Sequence, residues 1–247
     1  GWAFAPYLLT AVGFPDRAST APLLRAALDG GADVIELGVP FSDPMADGTT
    51  IQRAGEAALR GGVRLQDCIE EGASLVSERD TTVLLMGYLN PFLRYGPERL
   101  AAECVRSGIA GVIVPDLPAE ESAELDTVLV PADVARIDLY APTTPAARLA
   151  RLLPGARGFV YCVSLTGVTG ARAGLSEDVR PFVERVRAHT SLPVAVGFGI
   201  GTPEHVRALR GIADGVIVGS AAIDAVAQGG ERALRELVRS LREAGAA

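Results

Sequence analysis

The sequence predicts a (β/α)8 barrel on three observations. Short apolar, β-rich runs recur at intervals of about 20–35 residues, segments with helical spacing separate them, and eight such runs fit into 247 residues. The first run, residues 6–12, leads into an amphipathic helix over 19–28. The second, 33–37, alternates and carries the β-branched Val34 and Ile35, and Gly38 and Pro40 end it. A short helix over 51–59 sits in the loop that follows, and a longer one over 65–78 precedes the third strand, 83–88. Gly96-Pro97-Glu98 opens the helix over 97–107 by placing proline and an acid in its first turn. Strand 111–115, helix 119–129, strand 136–141 and helix 145–153 continue the alternation, followed by strand 158–163 and helix 176–189. Strand 193–197 precedes helix 203–209, which Thr202-Pro203-Glu204 opens in the same way, and strand 215–219 precedes the last helix, 231–243.

The near-continuous Val, Ile and Leu content of these strands suits parallel strands buried on both faces. Similar helix-to-strand phrases recur, as in Gly31-Ala32-Asp33-Val34-Ile35, Gly108-Ile109-Ala110-Gly111-Val112-Ile113 and Ile212-Ala213-Asp214-Gly215-Val216-Ile217. No composition shift, linker or low-complexity tract divides the chain, so residues 1–247 are expected to form one barrel domain. A doubly wound sheet fits less well, because no Gly-x-Gly-x-x-Gly follows the first strand. Gly1-Trp2 stands almost on the first predicted strand, which leads us to expect that a native leading segment is missing.

A net charge of −7 argues against nucleic-acid and anionic-membrane partners, both of which need a basic face. No apolar run approaches the ~20 residues that cross a bilayer, and the start lacks the basic flank of a signal peptide, so a cytoplasmic protein is expected. Cys68, Cys104 and Cys162 have the odd number and irregular spacing of packed thiols. All 23 basic residues counted as lysine or arginine are arginine, so no lysine can form a Schiff base and lysine-dependent aldolase chemistry is excluded. His189 and His205 have no ligand-spaced neighbours, so neither a bound metal nor a Ser-His-Asp triad is expected.

Chemistry concentrates in Glu36-Leu37-Gly38-Val39-Pro40-Phe41-Ser42-Asp43-Pro44-Met45-Ala46-Asp47-Gly48. Glu36 falls inside a strand at a position otherwise apolar, and Asp47 lies on the loop beyond it. A buried acid beside a wetter one is a general acid/base pair, because desolvation raises the pKa of the first while the second stays ionised. The competing reading makes Asp43 and Asp47 Asx-turn residues and pairs Glu36 with an arginine. Glycine turns follow the sixth, seventh and eighth predicted strands: Thr166-Gly167-Val168-Thr169-Gly170, Gly197-Phe198-Gly199-Ile200-Gly201 and Gly219-Ser220. Singly each is a tight turn. Together, with a helix starting at Ser220, they favour a phosphate ester bound at the carboxyl end of the barrel. Residues 164–174 form a candidate lid.

The acid-bearing segment resembles the signature of the tryptophan synthase alpha chain family, and Ser164-Leu165-Thr166-Gly167-Val168-Thr169-Gly170, Val114-Pro115-Asp116-Leu117-Pro118, Gly197-Phe198-Gly199-Ile200 and Gly219-Ser220-Ala221 look like its other motifs. The resemblance covers nearly the whole chain. It implies cleavage of indole-3-glycerol phosphate to indole and glyceraldehyde 3-phosphate without metal or organic cofactor, and a beta-subunit partner in an alpha2beta2 complex. It also implies that Glu36 protonates indole C3 and takes the proton of the glycerol hydroxyl, and that Asp47 holds the indole N–H. By the same resemblance Tyr161 stands near Glu36, Thr169 engages Asp47 from the lid, and Gly170, Gly199, Gly219 and Ser220 bind phosphate. Ile51, Phe198 and Tyr88 line the indole pocket, with Asn90 and Asp43 near the subunit interface. Asp116 equally reads as a cap before Pro118-Ala119. A stand-alone lyase releasing free indole, a phosphate-sugar isomerase and a non-catalytic activator of the beta subunit remain alternatives. Thr49 stands where the family usually has proline, which predicts a looser loop around Asp47.

Overall fold

The computed structural model describes residues 10–11, 13–163, 178–197 and 199–246. Among them run eight strands, all parallel and adjacent in sequence order. They are β1 (Thr10–Ala11), β2 (Val34–Gly38), β3 (Thr82–Met86), β4 (Gly111–Ile113), β5 (Ala135–Tyr140), β6 (Val160–Val163), β7 (Val194–Gly197) and β8 (Gly215–Val216). Helices α1 (Thr20–Gly30), α2 (Thr49–Arg60), α3 (Leu65–Glu78), α4 (Leu89–Tyr95), α5 (Pro97–Ser107), α6 (Ala123–Leu129), α7 (Ala146–Leu152), α8 (Val179–Arg187), α9 (Pro203–Leu209) and α10 (Ser220–Ala246) surround the sheet.

Alternation along the strands divides the apolar residues between two cores. Ile35, Leu37, Val83, Leu85, Val112 and Val194 turn outward to the helices, while Leu84, Met86, Ile113, Ile137, Tyr161, Ala195 and Ile217 turn inward and pack on one another. These inward side chains, drawn from β3 round to the end of β8, form one continuous interior, as in a barrel. The last unit also lies against the first. A Cβ on Gly30 of α1 would come within 2.8 Å of Val238 on α10, so a glycine is needed where the two helices approach.

Three departures from the sequence expectation have local causes. The chain leaves β3 at Met86 and turns into α4, which was not expected, because Tyr88 is extended and the carboxylate of Asp116 accepts the Leu89 N–H at 2.9 Å. The expected helix over 119–129 begins as a 3-10 turn and restarts at Ala123, the Ser122 hydroxyl donating to the Ala119 carbonyl at the break. The expected short helix at Ser220 and the terminal helix follow one another directly, with non-helical backbone at Gly229 and at Gly230, whose φ is 58°. The outward face of β5 is polar: Arg136 pairs with Asp126 at 2.7 Å and with the buried Asp138.

Candidate active site

Glu36 occupies an inward position of β2, level with Leu84 on β3, and is 1% exposed. Neither carboxylate oxygen has a hydrogen-bond partner among the described residues, so the arginine pairing left open by the sequence does not occur there. Burial pushes its pKa well above the usual carboxylate range, and the charge of Asp47 pushes it further. Such a carboxyl keeps its proton to higher pH than an exposed glutamate and presents it to the barrel interior.

Asp47 is held by a side chain from another strand rather than by a local Asx turn. The Tyr88 hydroxyl, just past β3, donates to Asp47 Oδ2 at 3.0 Å and accepts the Ala46 N–H at 2.9 Å. The Gln52 side-chain amide, from the first turns of α2, donates to the Asp47 carbonyl at 2.8 Å and to that of Pro44 at 3.3 Å. With Thr49 at the start of α2 and Gly48 as its cap, the loop is therefore tied down at several points. Burial raises the Asp47 pKa and the Tyr88 bond opposes the rise. Asp47 is wetter than Glu36, as expected, yet desolvation acts on both. Asp43 is exposed and accepts a hydrogen bond from the hydroxyl of its neighbour Ser42.

Asp116 does not cap the turn at Pro118-Ala119. Its bond to the Leu89 N–H instead fixes the start of α4 directly behind Tyr88, whose ring also lies 5.2 Å from that of Phe41. Tyr161 on β6 is 3% exposed, and the charges of Glu36 and Asp47 both raise its pKa in addition to burial. The charges of both acids thus reach the Tyr161 phenol, and that of Asp47 reaches Glu36. Two residues along β7 from Ala195, the register partner of Tyr161, a Cβ on Gly197 would lie 2.4 Å from the tyrosine hydroxyl. Gly197 thus makes room for the tyrosine within β7, whereas the sequence grouped it with the anion-binding turns.

A cleft opens at this end of the barrel, lined by Phe41, Asp47, Ile51, Met86, Tyr88 and Pro115 among others, mostly apolar side chains that suit a flat ring. Ile51 also packs against the inward core, on the same side as Met86.

The turns after β7 and β8 converge. Gly199 has φ +80°, and a Cβ on Gly201 would lie 2.8 Å from the Ala221 Cβ, so the turn carrying Gly199 rests on the first turn of α10. Ser220 starts that helix and is exposed, while the Gly219 carbonyl accepts the Ala222 N–H at 2.9 Å. Thr169, Gly170 and Phe198 lie outside the described residues. Among the described residues no cluster of three His, Cys, Asp or Glu could hold a metal ion. Gly197, Gln52 and the Asp116 link were missed as site-shaping residues, since nothing in their local sequence names their distant partners.

The sequence profile of the tryptophan synthase alpha chain family matches residues 1–246. The chain belongs to the tryptophan synthase alpha chain family. It is 51% identical over 246 residues to the alpha chain of Roseiflexus castenholzii, covering 97% of this chain and 93% of that one, and 50% identical over 223 residues to the alpha chain of Chloroflexus aggregans, covering 90% and 83%. A chain from a structure of Mycobacterium tuberculosis tryptophan synthase superposes with a TM-score of 0.90 at 40% identity, covering 98% of this chain and 91% of that one. A protein from Aquifex aeolicus does so with a TM-score of 0.89 at 39% identity, covering 98% and 92%. Membership in the alpha chain family makes this protein a lyase of tryptophan biosynthesis on a (β/α)8 barrel.

Proposed function

We propose that this alpha chain cleaves indole-3-glycerol phosphate to indole and glyceraldehyde 3-phosphate by acid/base catalysis on its own side chains. The observation that carries the reading is the electrostatic coupling of two desolvated acids, Glu36 in the barrel wall with no hydrogen-bond partner among the described residues and Asp47 fixed by Tyr88. Protonated Glu36 gives its proton to indole C3. Asp47 holds the ring N–H and stabilises the resulting indolenine cation. The bond between C3 and the glycerol carbon then breaks, its electron pair returning to the ring. The hydroxyl on that carbon becomes the aldehyde carbonyl as its proton passes to the Glu36 carboxylate, which restores the acid. Help of this kind is worth about 10²–10⁴-fold. Tyr161 positions Glu36, Ile51 and Phe198 line the ring pocket, Thr169 closes over Asp47, and backbone groups at Gly170, Gly199, Gly219 and Ser220 hold the phosphate.

Family membership supports a tryptophan synthase beta subunit as partner, in an alpha2beta2 assembly, and the loop between β2 and α2, where Met45 is 86% exposed two residues before Asp47, is the face we assign to it. The three buried thiols suit a reducing, cytoplasmic setting. A spectroscopic assay of indole release tests both claims. The isolated chain should release indole slowly and an added beta subunit should accelerate it, whereas full speed alone indicates a stand-alone lyase. Near-normal indole release by Asp47→Asn overturns the assignment of the acids.

A further inference from the structure

A glycine inside a helix is unfavourable, because it gives up backbone freedom for nothing in return. Where one persists, a neighbour usually approaches too closely for a side chain. Gly72 of α3 is such a case, since a Cβ there would touch Leu37, Val83 and Ile109 at 3.2–3.3 Å. Gly55 differs. It lies in the middle of α2 between the buried Ala54 and Ala58, it has no positive φ, and a Cβ built on it meets no heavy atom within 4 Å. What it borders is empty space, for Gly55 lines the same cleft as Asp47 and Tyr88, four residues beyond Ile51 and on the same face of α2.

We propose that Gly55 sets the ring size this site accepts, and that the protein takes indole-glycerol phosphates substituted on the fused benzene ring, at C7 above all. The inference rests on the proposed function, which fixes the ring's orientation. With C3 facing Glu36 and N1 facing Asp47, the benzene ring continues past the nitrogen along α2. Its C7 edge passes Ile51 toward the space that the missing side chain leaves. A residue larger than glycine there fills that space, and an excess methyl in an apolar pocket is discriminated by about 10- to 200-fold.

The test compares the parent protein with Gly55→Ala and Gly55→Leu on indole-3-glycerol phosphate and its 7-methyl analogue. The ratio of kcat/KM for the 7-methyl substrate over the unsubstituted one should be within a few-fold of unity in the parent and fall by about 10-fold or more in Gly55→Leu. Thermal melting guards against a merely damaged helix: Gly55→Ala should raise the midpoint by about 2–4 °C, since its Cβ meets nothing and the helix gains. An unchanged ratio in Gly55→Leu, or a parent that already rejects the 7-methyl substrate, overturns the inference. Calorimetric binding of indole and 7-methylindole to the same proteins separates it from the parent reading. If indole release fails altogether but Gly55→Leu loses affinity for 7-methylindole alone, the chemistry is wrong and the size gate stands. If both rings bind Gly55→Leu as they bind the parent, the gate falls.

Discussion

Replacing Tyr88 with phenylalanine removes a single hydroxyl that makes two hydrogen bonds, to Asp47 Oδ2 at 3.0 Å and from the Ala46 N–H at 2.9 Å, and leaves the ring against Phe41. A hydrogen bond to an ionised carboxylate contributes about 1.5–3 kcal/mol. If the transition state depends on Asp47 as proposed, that loss converts to about 10- to 150-fold in kcat/KM, at roughly 1.4 kcal/mol per factor of ten. The pH dependence supplies a second and sharper readout. Burial raises the Asp47 pKa and the Tyr88 bond holds it down, so removing the hydroxyl raises it further. The acid limb of the kcat/KM profile, where Asp47 must lose its proton to act, should therefore move to higher pH in Tyr88→Phe. Indole release measured across pH for both proteins decides the matter. A variant within twofold of the parent, with its acid limb unmoved, would refute the claim that this bond sets the state of Asp47.

Glu36→Gln should reduce indole release by about 10²–10⁴-fold while stabilising the fold at the upper end of the pH range. The folded-state pKa of Glu36 lies above its unfolded value, so the native protein holds a proton that the unfolded chain releases, and stability falls as pH rises from the ordinary glutamate value through the raised one. Glutamine escapes that loss, so the gap between the two melting curves should widen with pH across this window; a constant gap contradicts the burial argument. In Gly197→Ala the new methyl would sit 2.4 Å from the Tyr161 hydroxyl and 2.7 Å from its ring, with no solvent for the ring to swing into, so about 1–3 kcal/mol of stability should be lost. Adding Tyr161→Leu should restore most of it, and a double variant as unstable as the single one rejects the steric account. Asp116→Ala should cost about 1 kcal/mol through the unsatisfied start of α4 and lower kcat/KM by freeing Tyr88, while Asp116→Asn, which keeps an acceptor oxygen, should stay near the parent. Equal behaviour of the two variants in melting and turnover would show that the Leu89 bond does not matter.

Much of this protein is determined locally. The short apolar runs around Val34, Val83 and Val194 and the helical periodicity between them are properties of neighbouring residues, which is why the βα alternation and helices such as Leu65–Glu78, Pro97–Ser107 and Pro203–Leu209 are legible in the sequence to the residue. The placement of Glu36 inside a strand follows from the same pattern, and the acid stands out because its neighbours are apolar. What the sequence leaves open depends on contacts between distant residues. Helix α4 exists because Asp116, 27 positions away, accepts the first N–H, and the state of Asp47 depends on a hydroxyl 41 positions away. Gly197 reads as another turn glycine until Tyr161 is seen against it. Likewise the burial of Glu36, on which its raised pKa chiefly rests, is a fact about the space enclosed by several strands. Sequence sets the local conformational preferences and the polarity of each face; closing the barrel decides which charges lose their water and which partners reach them.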